Sequence, residues 1–266
     1  MSSSNFSLVK WYLDCISDDG ATFIGYAASL RYKLFSIGYS GVIEHSSALG
    51  TKSAYTILGA GLPSEEGGLI SWKSEGLDRR GSWRPLAPGI APQMLLCDKG
   101  GTLEWHCMQP ASSALVEGIS CASRLEGLGY AERLDLTIKP WELPISTLYW
   151  GRFVSPEHYL VWIEWVGPHP LRLSFHNGQR LQDVQIGPSS LSLDWGRGML
   201  ELSETVTLRE GSLDTTALGV IPGLEKLFPG IILKTVEKKY RSRGTLMMEG
   251  GAPAHGWVIH EEVQWA

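Results

Sequence analysis

The acid of this chain best suited to chemistry is Glu132, which follows Tyr130 by two residues in the run GLGYAERLDL, 127–136. Side chains two apart on a β-strand point to the same face, so Tyr130 and Glu132 form a ring-and-acid pair. A carboxyl group packed among aromatic rings is kept from water, which favours its protonated form, and a protonated carboxyl can donate to a carbon–carbon double bond or polarise a carbonyl. Tyr12 with Asp14, and Trp162 with Glu164, repeat the pattern. His106, beside Trp105, has the chemistry to relay a proton or to orient Glu132. The faces of Trp105, Tyr130 and Trp11 could hold a cationic intermediate, each dry contact contributing ~0.5–2 kcal/mol. Each residue also has a structural reading. Glu132 could pair with Arg133 or Arg152, His106 could be a satisfied core or surface histidine, and Asp14 could accept hydrogen bonds from turn or strand amides.

Other chemistries find no support. No G-x-S-x-G elbow occurs, and the glycine-rich GAGLP and GLPSEEGG lack the spacing of a nucleotide-binding loop. Cys15, Cys97, Cys107 and Cys121 stand far apart without a C-x-x-C pair, which reads as reduced, buried thiols. The 7 His form no H-x-x-x-H or H-E-x-x-H pair, so no local motif asks for a metal, and only a site assembled from separate strands stays open. The net charge of -5 argues against nucleic acid. The basic cluster within Lys234–Arg243 reads as the solvated face of a strand. His260, Glu261 and Glu262 resemble a second acid–base set, but they stand close to the last residue, a poor place to anchor catalysis. No apolar run reaches the ~20 residues of a membrane helix, and MSSSNFSLVKWYLDC lacks the head and core of a signal peptide, so a soluble, cytoplasmic protein is expected.

These residues must be positioned by strands. An alternation of two runs through KWYLDCI (10–16), TFIGYAASL (22–30), TLEWHCMQ (102–109), ALVEGISCA (114–122), GYAERLDLTI (129–138), YLVWIEWV (159–166) and MLELSETVTL (199–208). Gly and Pro punctuate them, and SDDG (17–20), DKGG (98–101), GPHP (167–170) and HNGQ (176–179) read as turns. The one helical candidate is IPGLEKLFPG, 221–230. Strands at this spacing predict an all-β sandwich or barrel. A weak repeat divides the chain at KPWELP (139–144): WYLDC and FIGYAASL open the first part as LYWGRFV and YLVWIEWV open the second, and GLGYAERLDL closes the first as AHGWVIHEEVQW closes the second. Two β domains, 1–140 and 141–266, are expected. If the ring-and-acid pairs face a barrel interior they make a small-molecule pocket; if they face outward they are surface decoration.

WYLDCISDDG (11–20), WHCMQPASSALVEG (105–118) and GLGYAERL (127–134) resemble the carotenoid 1,2-hydratase, tocopherol cyclase and AttH-type lipocalin-like superfamily. The resemblance implies two lipocalin-like β-barrel halves packed together. It also implies that the acid two residues after the strand tyrosine protonates a double bond, with an upstream histidine and aromatic residues shaping the cation. Carried over, Tyr130 and Glu132 take the tyrosine and acid positions, and Trp105 and His106 the tryptophan and histidine positions. Glu stands where the hydratases have Asp, and Leu134 where they have a polar amide. Arg152 in YWGRF resembles the cation that closes the base of a lipocalin barrel on a strand tryptophan, Trp150 or Trp11.

The expectation is a cofactor-free enzyme, metal-independent, acting on a hydrophobic unsaturated small molecule by hydration, dehydration, isomerisation or cyclisation. Glu132, Tyr130 and His106 would be catalytic, and Trp105, Trp11, Tyr12, Asp14 and Trp162 would line the pocket. A pericyclic cyclase working by substrate folding, a lipocalin-style carrier, or a structural module with a filled lumen are the alternatives. Nothing in the sequence sets an oligomeric state.

Overall fold

The computed structural model describes residues 6–212 and 233–265. The contacts divide the chain into two units, with Leu143 ending the first run and Pro144 beginning the second. In the first unit the strands are β1 (Phe6–Ile16), β2 (Thr22–Tyr32), β3 (Phe35–Ser46), β4 (Gly50–Thr56), β5 (Ser64–Glu66), β6 (Leu69–Ser74), β7 (Arg79–Pro85), β8 (Gln93–Asp98), β9 (Gly101–Gly118) and β10 (Arg124–Leu136). The second holds β11 (Thr147–Val154), β12 (Tyr159–Val166), β13 (Leu171–His176), β14 (Gln179–Arg180), β15 (Val184–Ile186), β16 (Ser190–Leu193), β17 (Gly198–Ser212), β18 (Val236–Met248) and β19 (Ala254–Gln264). The fold is all-β, as the alternation predicts, and all four predicted turns join consecutive strands. No helix among the described residues is long and apolar enough to cross a membrane. The helix expected at 221–230 lies outside the described residues.

Both sheets run by one rule. The first follows β4-β3-β2-β1-β10-β9-β7-β6-β5, with β8 also on β9, and the second follows β14-β13-β12-β11-β19-β18-β17-β16-β15. In each, the opening strand lies between its successor and the closing strand, so the segments matched in the sequence repeat occupy matching places. One expectation changes. TLEWHCMQ and ALVEGISCA are not two strands: β9 runs through both to Gly118 and the chain then turns. Pro110 is tolerated inside it because the ladder with β10 slips at this point, between Gly129 and Ala131 and again between Ala131 and Glu132, and because β9 changes its second neighbour from β8 to β7.

Each sheet curls over a packed core. Phe23 on β2 and Trp72 on β6 stand far apart in the strand order, yet their rings are 6.1 Å apart. The concave side of the first unit is filled by Trp11, Leu13, Phe23, Ile70, Trp72 and Trp83, and it is a core and not an open lumen. Trp83, wholly buried, also donates its indole N–H to the Asp14 carbonyl at 2.7 Å, tying β7 to β1 across the curl. In the second unit Phe153, Leu160, Trp162, Leu200, Leu246 and Val258 fill the equivalent side. Gly151 is required there, because a Cβ would stand 2.1 Å from the Trp162 ring.

The basic cluster within 234–243 is not a solvated face. Lys239 and Arg241 are buried. Lys239 pairs with Glu261, and with Glu237 at 3.7 Å, while Arg241 and Arg243 stack on Trp257 at 4.7 and 3.7 Å. Strand alternation puts Lys239, Arg241 and Arg243 together on the face of β18 opposite its core residue Leu246, where carboxylates and an indole replace water around them. Arg152, also buried, donates to the Trp257 carbonyl at 3.1 Å.

Two measurements follow from these cores. Trp83→Ala empties the curl and strips the Asp14 carbonyl of its donor, and should cost ~3–5 kcal/mol in denaturant unfolding. His260 stacks on Tyr240 and lies 3.1 Å from the Ser242 hydroxyl. Burial first, then nearby Lys239, lowers its pKa from 6.5 to about 4. The unfolded chain therefore binds a proton between these values that the folded one does not, and stability falls as pH drops from 6.5 to 4, by about 3 kcal/mol from this group. His260→Gln should flatten that part of a stability–pH curve.

Candidate active site

Alternation along β1 divides its residues cleanly. Trp11, Leu13 and Cys15 turn to the packed concave side, so Tyr12 and Asp14 lie on the other face. The register of β1 with β10 sets Tyr12 opposite Glu132 and Asp14 opposite Tyr130. Across β10, Cys107 stands opposite Glu132 and Trp105 opposite Leu134. On the far side of β1, Tyr26 pairs with Tyr12. One face of four adjacent strands thus collects Tyr12, Asp14, Tyr26, Trp105, Cys107, Tyr130 and Glu132. All are buried, Tyr130 and Asp14 completely and Glu132 to 6% exposure.

Two glycines let this face form. A Cβ on Gly129 would meet the Asp14 carbonyl at 2.5 Å and the Trp83 ring at 2.9 Å, and one on Gly127 would meet the Ile16 carbonyl at 2.0 Å. The G-x-G-Y-x-E motif is therefore a packing device that brings β10 close to β1 and leaves room for the indole beneath Tyr130 and Glu132.

The hydrogen bonds converge on one atom. Trp105 Nε1 donates to Glu132 Oε2 at 2.6 Å and the Tyr130 hydroxyl donates to the same oxygen at 2.7 Å. Burial, together with Cys107 and Glu132 nearby, holds the Tyr130 phenol well above its ordinary pKa, so it stays a donor. Burial likewise pushes the Cys107 thiol up, against a hydrogen bond from Tyr130. Tyr12 sets its ring edge-on to Tyr26 and Tyr130, with centroids 5.7 and 6.0 Å away. The result is a carboxyl oxygen held by two neutral donors inside a wall of rings.

Not every expected residue arrives here. Trp105 and His106 are neighbours on β9, so only one can share the face of Glu132, and the register selects Trp105. His106 turns to the opposite face, where its Nε2 lies 3.4 Å from Glu104 and 3.3 Å from Asp135, and so it does not orient Glu132. Trp11 is excluded by the same rule and packs in the core, with Arg133 over its ring at 5.8 Å. Trp162 belongs to the core of the second unit. Arg133 faces away from Glu132 and pairs with Asp135 at 2.8 Å. Two members escape a reading of the sequence as ring-and-acid pairs: Cys107, two residues from Trp105, and Tyr26. Stepping by two from Trp105 finds the first, whereas only the strand register finds the second. The cluster matches neither of the two alternatives drawn from the sequence, since it lies off the barrel interior and yet is buried.

A depression of about 400 Å³ lies elsewhere in the first unit, lined among others by Ser71, Lys73, Arg80, Ser82 and Glu117. None of its lining residues belongs to the Glu132 cluster.

Thiol labelling checks this arrangement. Cys97 and Cys121 are exposed, whereas Cys15 and Cys107 are buried. Under native conditions at pH 8, iodoacetamide followed by mass spectrometry should modify the first two alone, with Cys107 reacting only in denaturant.

No family model and no curated protein matches the sequence. Solved structures do match the fold. CghA, solved with Sch210972, has a TM-score of 0.64 at 12% identity, covering 98% of this chain and 89% of its own. Kievitone hydratase from Nectria haematococca has a TM-score of 0.54 at 10% identity, covering 98% and 90%. An AttH-type protein from Nitrosomonas europaea has 0.53 at 10%, covering 97% and 92%. The two curled antiparallel sheets therefore share the lipocalin-like fold of these solved structures.

Proposed function

We propose that the protein is an enzyme that acts on a hydrophobic, unsaturated small molecule by acid-assisted hydration, dehydration, isomerisation or cyclisation, with Glu132 as the acid. The observation that carries this reading is the pair of donors on Glu132 Oε2, 2.6 and 2.7 Å away in a buried ring of aromatic side chains. With both lone pairs of Oε2 engaged, an acidic proton on this carboxyl sits on Oε1. Once it is given to a double bond or a carbonyl, Glu132 becomes an anion, and hydrogen bonds from Trp105 and Tyr130 to a carboxylate are stronger than those to the acid. The donors thus stabilise the state that follows proton transfer more than the one before it, which is what accelerates the step.

The cation formed on the substrate would lie against Tyr12, Tyr26 and Trp105, whose ring faces attract positive charge. Capture by water gives hydration, and capture by an internal double bond or hydroxyl closes a ring. Asp14, beside Tyr130, is the second carboxyl of the face, suited to hold the water or hydroxyl that attacks. The solved kievitone hydratase shares the fold, and its name describes addition of water; that chemistry comes to this chain as part of the proposal. A pericyclic variant, in which the pocket folds the substrate and Glu132 only polarises it, uses the same residues.

A specific observation favours a second reading. Trp11, Phe23, Trp72 and Trp83 fill the curl of the first unit, which disfavours a carrier that stores its ligand in that lumen and is the outcome expected of a structural module. Candidate polyenes, isoprenoids and polyketide intermediates incubated with the protein and followed by mass spectrometry separate the two readings. For an enzyme, Glu132→Gln should lower turnover ~10²–10⁴-fold with affinity nearly kept. Tyr130→Phe should lower kcat by ~10-fold or more through loss of one donor to the anion. No turnover of any candidate by the wild type would favour the structural module.

A further inference from the structure

We propose that Glu104, His106 and Asp135 form a binding site for a divalent transition-metal ion, on the face of the sheet opposite Glu132. Glu104 and His106 are two apart on β9, and Asp135 on β10 is the register partner of Glu104. Each offers a ligand atom, and these atoms lie within 4.8 Å of one another. The spacing is the one a small ion imposes. Ligands bound to tetrahedral zinc at ~2.0–2.1 Å stand about 3.3–3.4 Å apart. His106 Nε2 lies 3.4 Å from Glu104 Oε2 and 3.3 Å from Asp135 Oδ2.

The orientation of the ring agrees. His106 Nε2 is buried and makes no hydrogen bond, although two carboxylate oxygens are this close. Neither oxygen stands in line with the ring nitrogen, so the three ligand atoms are close without satisfying one another. Asp135 Oδ1 is also buried without a partner. Arg133 grips Asp135 Oδ2 at 2.8 Å and is itself held over Trp11, so the carboxylate is fixed in place as second-shell hydrogen bonds fix metal ligands. The guanidinium is also a nearby positive charge, which weakens binding, and two carboxylates offset it. Side-chain exposures of 36% for Glu104 and 33% for Asp135 leave the ion an entry path. One imidazole with two carboxylates suits zinc, iron(II) or manganese(II), where calcium and magnesium take oxygen alone and copper(I) takes sulfur. Bound there, the ion would clamp β9 to β10 directly behind Cys107 and Glu132.

Zinc and cobalt(II) are the probes, with the full chain stripped by a chelator and dialysed. Competition against a chromophoric chelator should show one zinc bound per chain, weakened at least ~10-fold by each of Glu104→Gln, His106→Gln and Asp135→Asn. Saturating zinc should raise the melting temperature of the wild type and leave that of His106→Gln unchanged. Cobalt should give visible d–d bands without a thiolate band, which separates this site from the exposed Cys97 and Cys121. His158 and His176, whose ring nitrogens are 3.1 Å apart, are the competing site, and the double variant His158→Gln/His176→Gln should bind zinc as the wild type does. Glu104→Gln alters a partly exposed side chain, so its loss of binding with an unchanged metal-free melting temperature distinguishes a lost ligand from a damaged fold. No zinc binding by the wild type, binding that survives His106→Gln, or loss only in the double variant would overturn the site.

Discussion

A sheet that curls over itself must fill its concave side, and in the first unit four aromatic rings do so: Trp11, Phe23, Trp72 and Trp83. Everything else on the sheet follows from this. Because strand side chains alternate, giving one face to the rings leaves the residues between them for the other face. The Trp83 indole completes the link, packing under Gly129 and donating to the Asp14 carbonyl, so the core directly supports the strand pair that carries Tyr12, Asp14, Tyr130 and Glu132. The filled curl and the buried acid are two faces of one constraint.

The cluster on the other face is economical in charge. Its donors to Glu132 are neutral, and one of them, Tyr130, is held in its protonated form by burial and by its neighbours Cys107 and Glu132. A guanidinium in their place would bind a carboxylate tightly and hold it ionised. An indole and a phenol instead bind the carboxyl group without bringing a charge of their own. The cation nearest in sequence, Arg133, is turned to the opposite face and given to Asp135.

The two units share a scaffold but not this chemistry. Gly256 of β19 precedes Trp257 as Gly129 precedes Tyr130, and a Cβ on Gly256 would meet the Val154 carbonyl at 2.2 Å, as one on Gly129 would meet that of Asp14. Val154 pairs with Trp257 as Asp14 pairs with Tyr130. Two residues further on, Ile259 stands where Glu132 does and Arg152 where Tyr12 does. The backbone device recurs, while the corresponding face of the second unit carries Ile259, Arg152, Arg241 and Lys239, the last paired with Glu237 and Glu261.

Much of this was legible in the sequence. The period of two, the glycine and proline punctuation and the repeat determined an all-β chain of two like sheets, and the i,i+2 rule paired Tyr130 with Glu132 and Tyr12 with Asp14, because these are local properties of extended backbone. Local rules also mislead when two neighbours are both attractive. Trp105 with His106, and Trp11 with Tyr12, cannot each share a face, and nothing in the order of residues says which one joins Glu132. That choice belongs to register and curl, which depend on contacts between strands distant in sequence. The same contacts decided that Lys239 and Arg241 are buried and that Glu104, His106 and Asp135 converge. They also placed the rings inside the curl and the acid behind them, because only a curled sheet has an inside.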